Sequence, residues 1–138
     1  MGLDTTHNAF HGSYIAFNYF RKAVAAAIGG SYPPHDPSLR DENEKPLLDE
    51  MWYCDNDKAT KETNPGLTVF FNHSDCGGYL TSNECQMIAD EIEALLPEID
   101  KQDYMGHTLG KGWISMIARQ WVRGCRSAAK RKQKLTFK

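Results

Sequence analysis

Residues able to do chemistry gather in three places. The first is His73-Ser74-Asp75-Cys76-Gly77-Gly78-Tyr79-Leu80-Thr81-Ser82-Asn83-Glu84. Laid on an EF-hand loop, Asp75 takes the third position, Gly78 the sixth, where a sharp turn needs glycine, Leu80 the apolar eighth and Glu84 the bidentate twelfth. The charge fits less well than the shape. His73 stands where Asp is usual, and Gly77 brings no side-chain oxygen to the fifth position. Calcium wants six to eight oxygens. A softer metal could use His73, Asp75 and Cys76 if further ligands came from elsewhere. The candidate metal ligands are therefore His73, Asp75 and Glu84. The alternative is an ion-free helix–loop–helix in which Glu84 completes a capping box with Thr81.

The second place is the start of the chain, where Asp4, His7, His11 and Ser13 fall within ten residues. A helix over 6–12 would put His7 and His11 on one face at i and i+4, a spacing that suits a metal. Asn8 occupies the position where a metalloprotease carries its general-base Glu. Histidines at a helix entry also suit a phosphate, which the unpaired backbone donors attract. The third place is the C-terminal helix, where Arg119, Arg123, Arg126 and Lys130 form one charged stripe. Only Gln120 and Gln133 accompany these cations as base-reading amides, so sequence-specific DNA recognition is not expected. Phosphate contact is compatible with the pattern. For an anionic ligand the candidate residues are His7, His11 and Arg40 on phosphate, with Trp52 or Tyr53 stacking on a base. No nucleophile elbow, P-loop or dinucleotide fingerprint occurs, and the glycines from Gly106 to Gly112 lack Walker spacing.

The elements that must position these groups are mainly helical. Ser13 caps a helix to Ile28 on which Phe17, Phe20 and Val24 recur, with Gly29-Gly30 ending it. Asn64-Pro65 reads as an N-cap with proline at the first helical position of a helix to Asn72. Thr81 to Glu84 opens a third helix, with Cys85, Ile88, Ile92, Leu95 and Leu96 as its buried stripe and Pro97 as its stop. Leu109, Trp113, Ile117, Trp121 and Cys125 recur along a fourth, 109–132. Residues 31–46, with Pro33, Pro34, Pro37 and Pro46, form a long loop, and 133–138 a short strand or tail. The fold class is mainly α, with α+β as the alternative. One domain over 1–138 holds about four helices, an EF-hand-like helix–loop–helix and long irregular loops.

A chain of 138 residues with 41% hydrophobic and 25% charged residues is of ordinary globular composition. The net charge of −2 hides a split. Residues 36–103 carry 17 acids against 5 Lys or Arg, whereas 104–138 carry 9 Lys or Arg and no acid. Either the basic helix docks on the acidic body, the preferred reading, or it binds an external anion. Four cysteines without a CxxC pair argue against a zinc knuckle. Cys85 and Cys125 fall on apolar faces, consistent with reduced thiols in a cytoplasm. Neither a membrane-spanning run nor a secretory signal is expected.

Gly2-Leu3-Asp4-Thr5-Thr6-His7-Asn8-Ala9-Phe10-His11-Gly12-Ser13-Tyr14, together with Gly66-Leu67 and His73-Ser74-Asp75-Cys76, resembles a family of small phage and prophage proteins without an assigned activity. The likeness extends to Ser31-Tyr32-Pro33-Pro34-His35 and Met51-Trp52-Tyr53. It implies action in the cytoplasm of an infected bacterium. In relatives the position of Gly77 often holds Asp, which makes their loop a better metal site than this one. The expectation is a host-interaction protein that binds or sequesters a small anionic, nucleotide-like ligand, such as a defence signal of the host, or a host protein. A metal-dependent phosphodiester hydrolase and a purely structural interaction protein are the alternatives. The reading leans away from an enzyme, and a metal ion is the one cofactor considered.

Overall fold

The computed structural model describes residues 2–31, 53–54, 63–73, 77–101 and 112–138. Strands β1 (Gly2–Asp4) and β2 (His11–Ser13) form an antiparallel hairpin around a 3-10 turn at Thr6–Asn8. Helix α1 (Tyr14–Ala27) leaves this hairpin directly, because the Ser13 hydroxyl accepts the Ala16 N–H at 3.0 Å, the N-cap that the sequence predicts. The helix ends at Ile28–Gly29, with Gly29 at φ +80°. Strand β3 (Gly30–Ser31) then pairs with β4 (Tyr53–Cys54). Helices α2 (Pro65–Asn72) and α3 (Ser82–Asp100) flank β5 (Tyr79–Leu80). Helix α4 (Trp113–Lys130) is followed by β6 (Leu135–Thr136), which pairs with β5. The fold is mainly α: four helices and three two-stranded antiparallel ladders among the described residues. No helix among those residues is long and apolar enough to cross a membrane.

Aromatic rings fill the centre. The Phe17 ring lies 4.9 Å from Phe10, 6.0 Å from Phe20 and Phe70, 5.4 Å from Trp121 and 6.1 Å from Phe137, mostly edge-to-face. Every one of these side chains is buried. Such pairs favour tilted or T-shaped geometry because the ring faces are negative and the edges positive. One packed cluster thus ties the hairpin, α1, α2, α4 and the C-terminal segment together. Arg21 enters the same core, with its guanidinium over Phe17 and Phe70 and Nη2 donating to the His73 carbonyl at 2.5 Å. That carbonyl is at the C-terminal end of α2, where positive charge complements the helix dipole.

Two helix boundaries depart from the sequence reading. Asn64 sits at the N-cap of α2, but its side chain makes no cap bond and accepts from the Thr63 hydroxyl. The cap comes from α3 instead: the Glu91 carboxylate accepts the Gly66 N–H at 2.7 Å and the Leu67 N–H at 3.1 Å. Gly66 is required there, since a Cβ would overlap Glu91 and the α3 backbone at Met87. Secondly, α3 does not stop at Pro97 but runs on to Asp100. Proline forfeits the bond to the Glu93 carbonyl. Burial of Ile99 and the ion pair of Asp100 with Arg119 hold the last turn in place. The fourth helix is observed over 113–130, and Leu109 lies outside the described residues. The C-terminal segment is an integral part of the core, with Leu135 and Phe137 buried.

Because Glu91 caps α2 from a separate helix, Glu91→Ala should cost about 1–2 kcal/mol. Glu91→Gln, which keeps one acceptor oxygen, should cost less. Urea unfolding at neutral pH measures both, and equal losses would contradict the cap.

Candidate functional site

Helix α4 presents two polar flanks beside its buried stripe. On the flank facing α3, Arg119 makes a bidentate pair with Asp100 at 2.7 and 2.8 Å. Arg126 reaches Asp90 at 2.8 Å and Glu93 through both Nε and Nη2. The hydrogen bonds from Arg119, then one from Ser115, pull the Asp100 carboxyl down to about 2. Arg126 and then Gln86 lower that of Asp90. The basic helix therefore docks on the acidic body, as the charge split suggests. Neutralisation covers only part of the stripe. Arg123 and Lys130 point outward, and among the described residues neither has an acidic partner.

The opposite flank carries the N-terminal turn. Thr5 closes it from within: its hydroxyl accepts the Phe10 N–H at 2.9 Å, and its own N–H donates to the Phe10 carbonyl at 3.1 Å. Gly124 lets the turn approach, because a Cβ there would overlap both Cα and Cβ of Ala9. Gln120 Nε2 donates to the Asn8 carbonyl at 3.0 Å, and the Thr136 N–H donates to the Thr6 hydroxyl at 2.8 Å. Held this way, His7 and Asn8 adopt left-handed conformations at φ +59° and +53°. Asparagine and histidine are among the few residue types besides glycine that enter this region readily, so the turn is formed by residues suited to it. His7 Nδ1 then lies 3.3 Å from Ser127 Oγ. Arg123 and Lys130 stand one turn to either side of Ser127 on α4, so a half-buried histidine and hydroxyl lie beside two exposed cations.

The other candidates are placed differently. Residues 6–12 are a 3-10 turn and a strand, so His7 and His11 do not share a helix face. Extending the helix back from Ser13 fails because Ser13 is itself the cap. His11 is exposed on β2, with Nδ1 3.6 Å from the Asp4 carboxylate. In the helix–loop–helix, Gly78 takes the expected positive φ of 83°, and Leu80 is the buried anchor. Glu84 forms the capping box: Oε1 accepts the Thr81 N–H at 2.8 Å, and the Thr81 hydroxyl accepts the Glu84 N–H at 3.2 Å. The half-buried His73 bonds through Nε2 to the Tyr79 carbonyl at 3.0 Å and stacks on Phe137 at 4.4 Å. Among the described residues no three His, Cys, Asp or Glu side chains are grouped to hold a metal. Arg40, Trp52 and Asp75 lie outside the described residues, as does the side chain of Tyr53, whose backbone pairs with Ser31. The sequence reading missed Ser127. The signal was present in the i, i+4 spacing of Arg123 and Ser127 beside the small Gly124. No family model, curated protein or solved structure matches the chain.

Two outcomes follow from this geometry. Gly124→Ala should destabilise the protein by about 1–3 kcal/mol through overpacking, despite the roughly 1 kcal/mol by which alanine is the better helix former; chemical unfolding measures this. The Asp100 contribution is complete above its ordinary value of 3.8 and disappears as pH falls through about 2. Stability measured across that window should therefore decline in the wild type, and Arg119→Gln should flatten the decline.

Proposed function

We propose that this protein binds a small phosphorylated anion, nucleotide-like in chemistry, at the edge where the N-terminal turn meets α4. The reading rests on one observation: His7, in a left-handed conformation, stands against Ser127 on the helix that carries Arg123 and Lys130, neither of which has an acidic partner among the described residues. A phosphate at this edge would accept from the two cations, the imidazole and the hydroxyl, and charge-assisted bonds of this kind are the strong ones. Arg123 also offers a planar fork for two phosphate oxygens. In this proposal Arg40 supplies a further phosphate contact, and Trp52 or Tyr53 a stacking face for the base. The phage-like sequence of the N-terminal turn favours a role inside an infected bacterium, where capturing a nucleotide signal of the host would serve the phage.

Equilibrium binding to a panel of mono-, di- and cyclic nucleotides tests the proposal. At least one member should bind, and about 0.5 M salt should weaken it markedly, since charges at an exposed edge are screened beyond a few ångströms. Arg123→Ala and His7→Ala should each lower affinity by about tenfold, the scale of one lost charge-assisted contact. Arg119→Ala, which removes a cation already paired with Asp100, should change it little. Binding that tolerates the loss of Arg123 and His7 together would place the ligand elsewhere, and a panel with no binder would overturn the reading.

A further inference from the structure

Beyond this edge the cations continue past the end of α4. Residues 130–138 hold five Lys or Arg and no acid. Arg131, Lys132 and Lys134 are exposed, and among the described residues none of the three has a carboxylate partner. The chain turns sharply here. The Lys132 N–H donates to the Ala129 carbonyl at 3.2 Å and the Gln133 N–H to that of Ala128 at 2.9 Å, the paired bonds that end a helix through one left-handed residue. That residue is Lys132, at φ +54°. Glycine or asparagine is usual at this position, and lysine is not among the types that enter the region readily. The reversed chain carries Lys134 back to the β5–β6 ladder, where its Nζ lies 4.1 Å from the centre of the Tyr79 ring. Tyr79 is still 48% exposed.

Positive charge at the C-terminal end of a helix complements its dipole, and that accounts for Lys130 and Arg131. The dipole does not account for a lysine in the place of a glycine. Nor does it account for Lys134, which lies beyond the last turn beside an open aromatic ring. Cations next to an exposed ring suit an unpaired strand of nucleic acid, whose phosphates they track while the ring stacks on a base. In a duplex the base faces are already covered by their neighbours. We propose that single-stranded nucleic acid binds across this end of the molecule, with Arg131, Lys132 and Lys134 on its phosphates and Tyr79 stacked on a base. Arg131 can hold two oxygens of one phosphate in its planar fork, whereas the lysines act as point charges. Lys134, over the ring, sets a phosphate contact beside the stacked base. Phosphates and base faces are common to DNA and RNA, so the site accepts either. It needs neither His7 nor Ser127 and thus stands apart from the binding of a small anion at the edge of the N-terminal turn.

Fluorescence anisotropy with the full-length chain tests this, using end-labelled oligothymidylate and oligouridylate of about twelve nucleotides, a length within the range that such surfaces cover. Both should bind, and a duplex of equal length should bind more weakly. For three phosphate contacts the logarithm of the binding constant should fall with that of the salt concentration at a slope of about −2. Tyr79→Ala should weaken binding about tenfold, the scale of one lost base stack, and Tyr79→Phe should restore it. Lys132→Gly separates the site from the fold. It should weaken binding several-fold and reduce the salt slope by about 0.7, while the melting temperature stays the same or rises, because glycine suits the left-handed turn. In a His7→Ala background Tyr79→Ala should still cost about tenfold, so this site and the small-anion edge can fail separately. Duplex bound as tightly as single strand, or a Tyr79→Ala variant as tight as the wild type, would overturn the proposal. So would binding to phosphatidylserine vesicles but to neither oligonucleotide, which would reassign the cations to a membrane surface.

Discussion

Everything described depends on Phe17 and Trp121 being packed against one another at the centre of the aromatic cluster. Their ring centroids lie 5.4 Å apart, and each also touches Phe20, Phe70 and Phe137. Because these rings come from α1, α2, α4 and the C-terminal segment, orienting one orients the others. A cluster this dense has a cost. Trp121 Nε1 is buried without an acceptor among the described residues, the kind of unsatisfied donor that folded proteins mostly avoid. The face of α4 opposite the cluster is thereby fixed in direction, and the N-terminal turn is laid against a helix that cannot rotate.

The charges on α4 divide along the same lines. Arg119 and Arg126 satisfy the acids of α3 at an exposed seam, where such pairs are worth about 1 kcal/mol or less each. That seam does more to fix the register of the two helices than to hold them together, a task that falls to Ile88, Ile92, Ile117 and Trp121 in the core. Arg123 and Lys130 belong to the same stripe yet stand beyond the reach of the acids described on α3. The helix is therefore a structural partner on one flank and a cationic surface on the other.

Much of the fold was legible in the sequence because its signals are local. Ser13 as a cap, the Thr81–Glu84 capping box, glycine at position 78 and the apolar repeat through Trp121 need only neighbouring residues to be read. The failures are non-local. The cap of α2 comes from Glu91, more than twenty residues away, and nothing near Asn64 announces it. Pro97 is a stop signal that tertiary burial of Ile99 overrides. The candidate site suffered most in this respect. A histidine pair at i and i+4 suggests a helix, whereas the Thr5–Phe10 bonds and the Gly124 contact fold that stretch into a turn and send His7 to Ser127. His11, on β2, faces Asp4. The charge split could be read from counts alone, but which arginines would be used up could not, since that depends on how α3 and α4 align.

One further consequence lies in how the two ends of the fold are joined. Phe137 bridges Thr5, Lys138 donates to the Asp4 carbonyl, and Thr136 donates to Thr6. The turn that carries His7 thus draws its support from residues about 130 positions further along the chain. It gains its shape only once α4 and β6 are in place beneath it. Contacts so distant in sequence form late and slowly. The helices can assemble first around their aromatic rings, and the histidine turn closes over them as the final event. Helices packed without the docked β6 would lack the arrangement at the basic edge, so that edge is the part of the fold most sensitive to loss of the β5–β6 pairing.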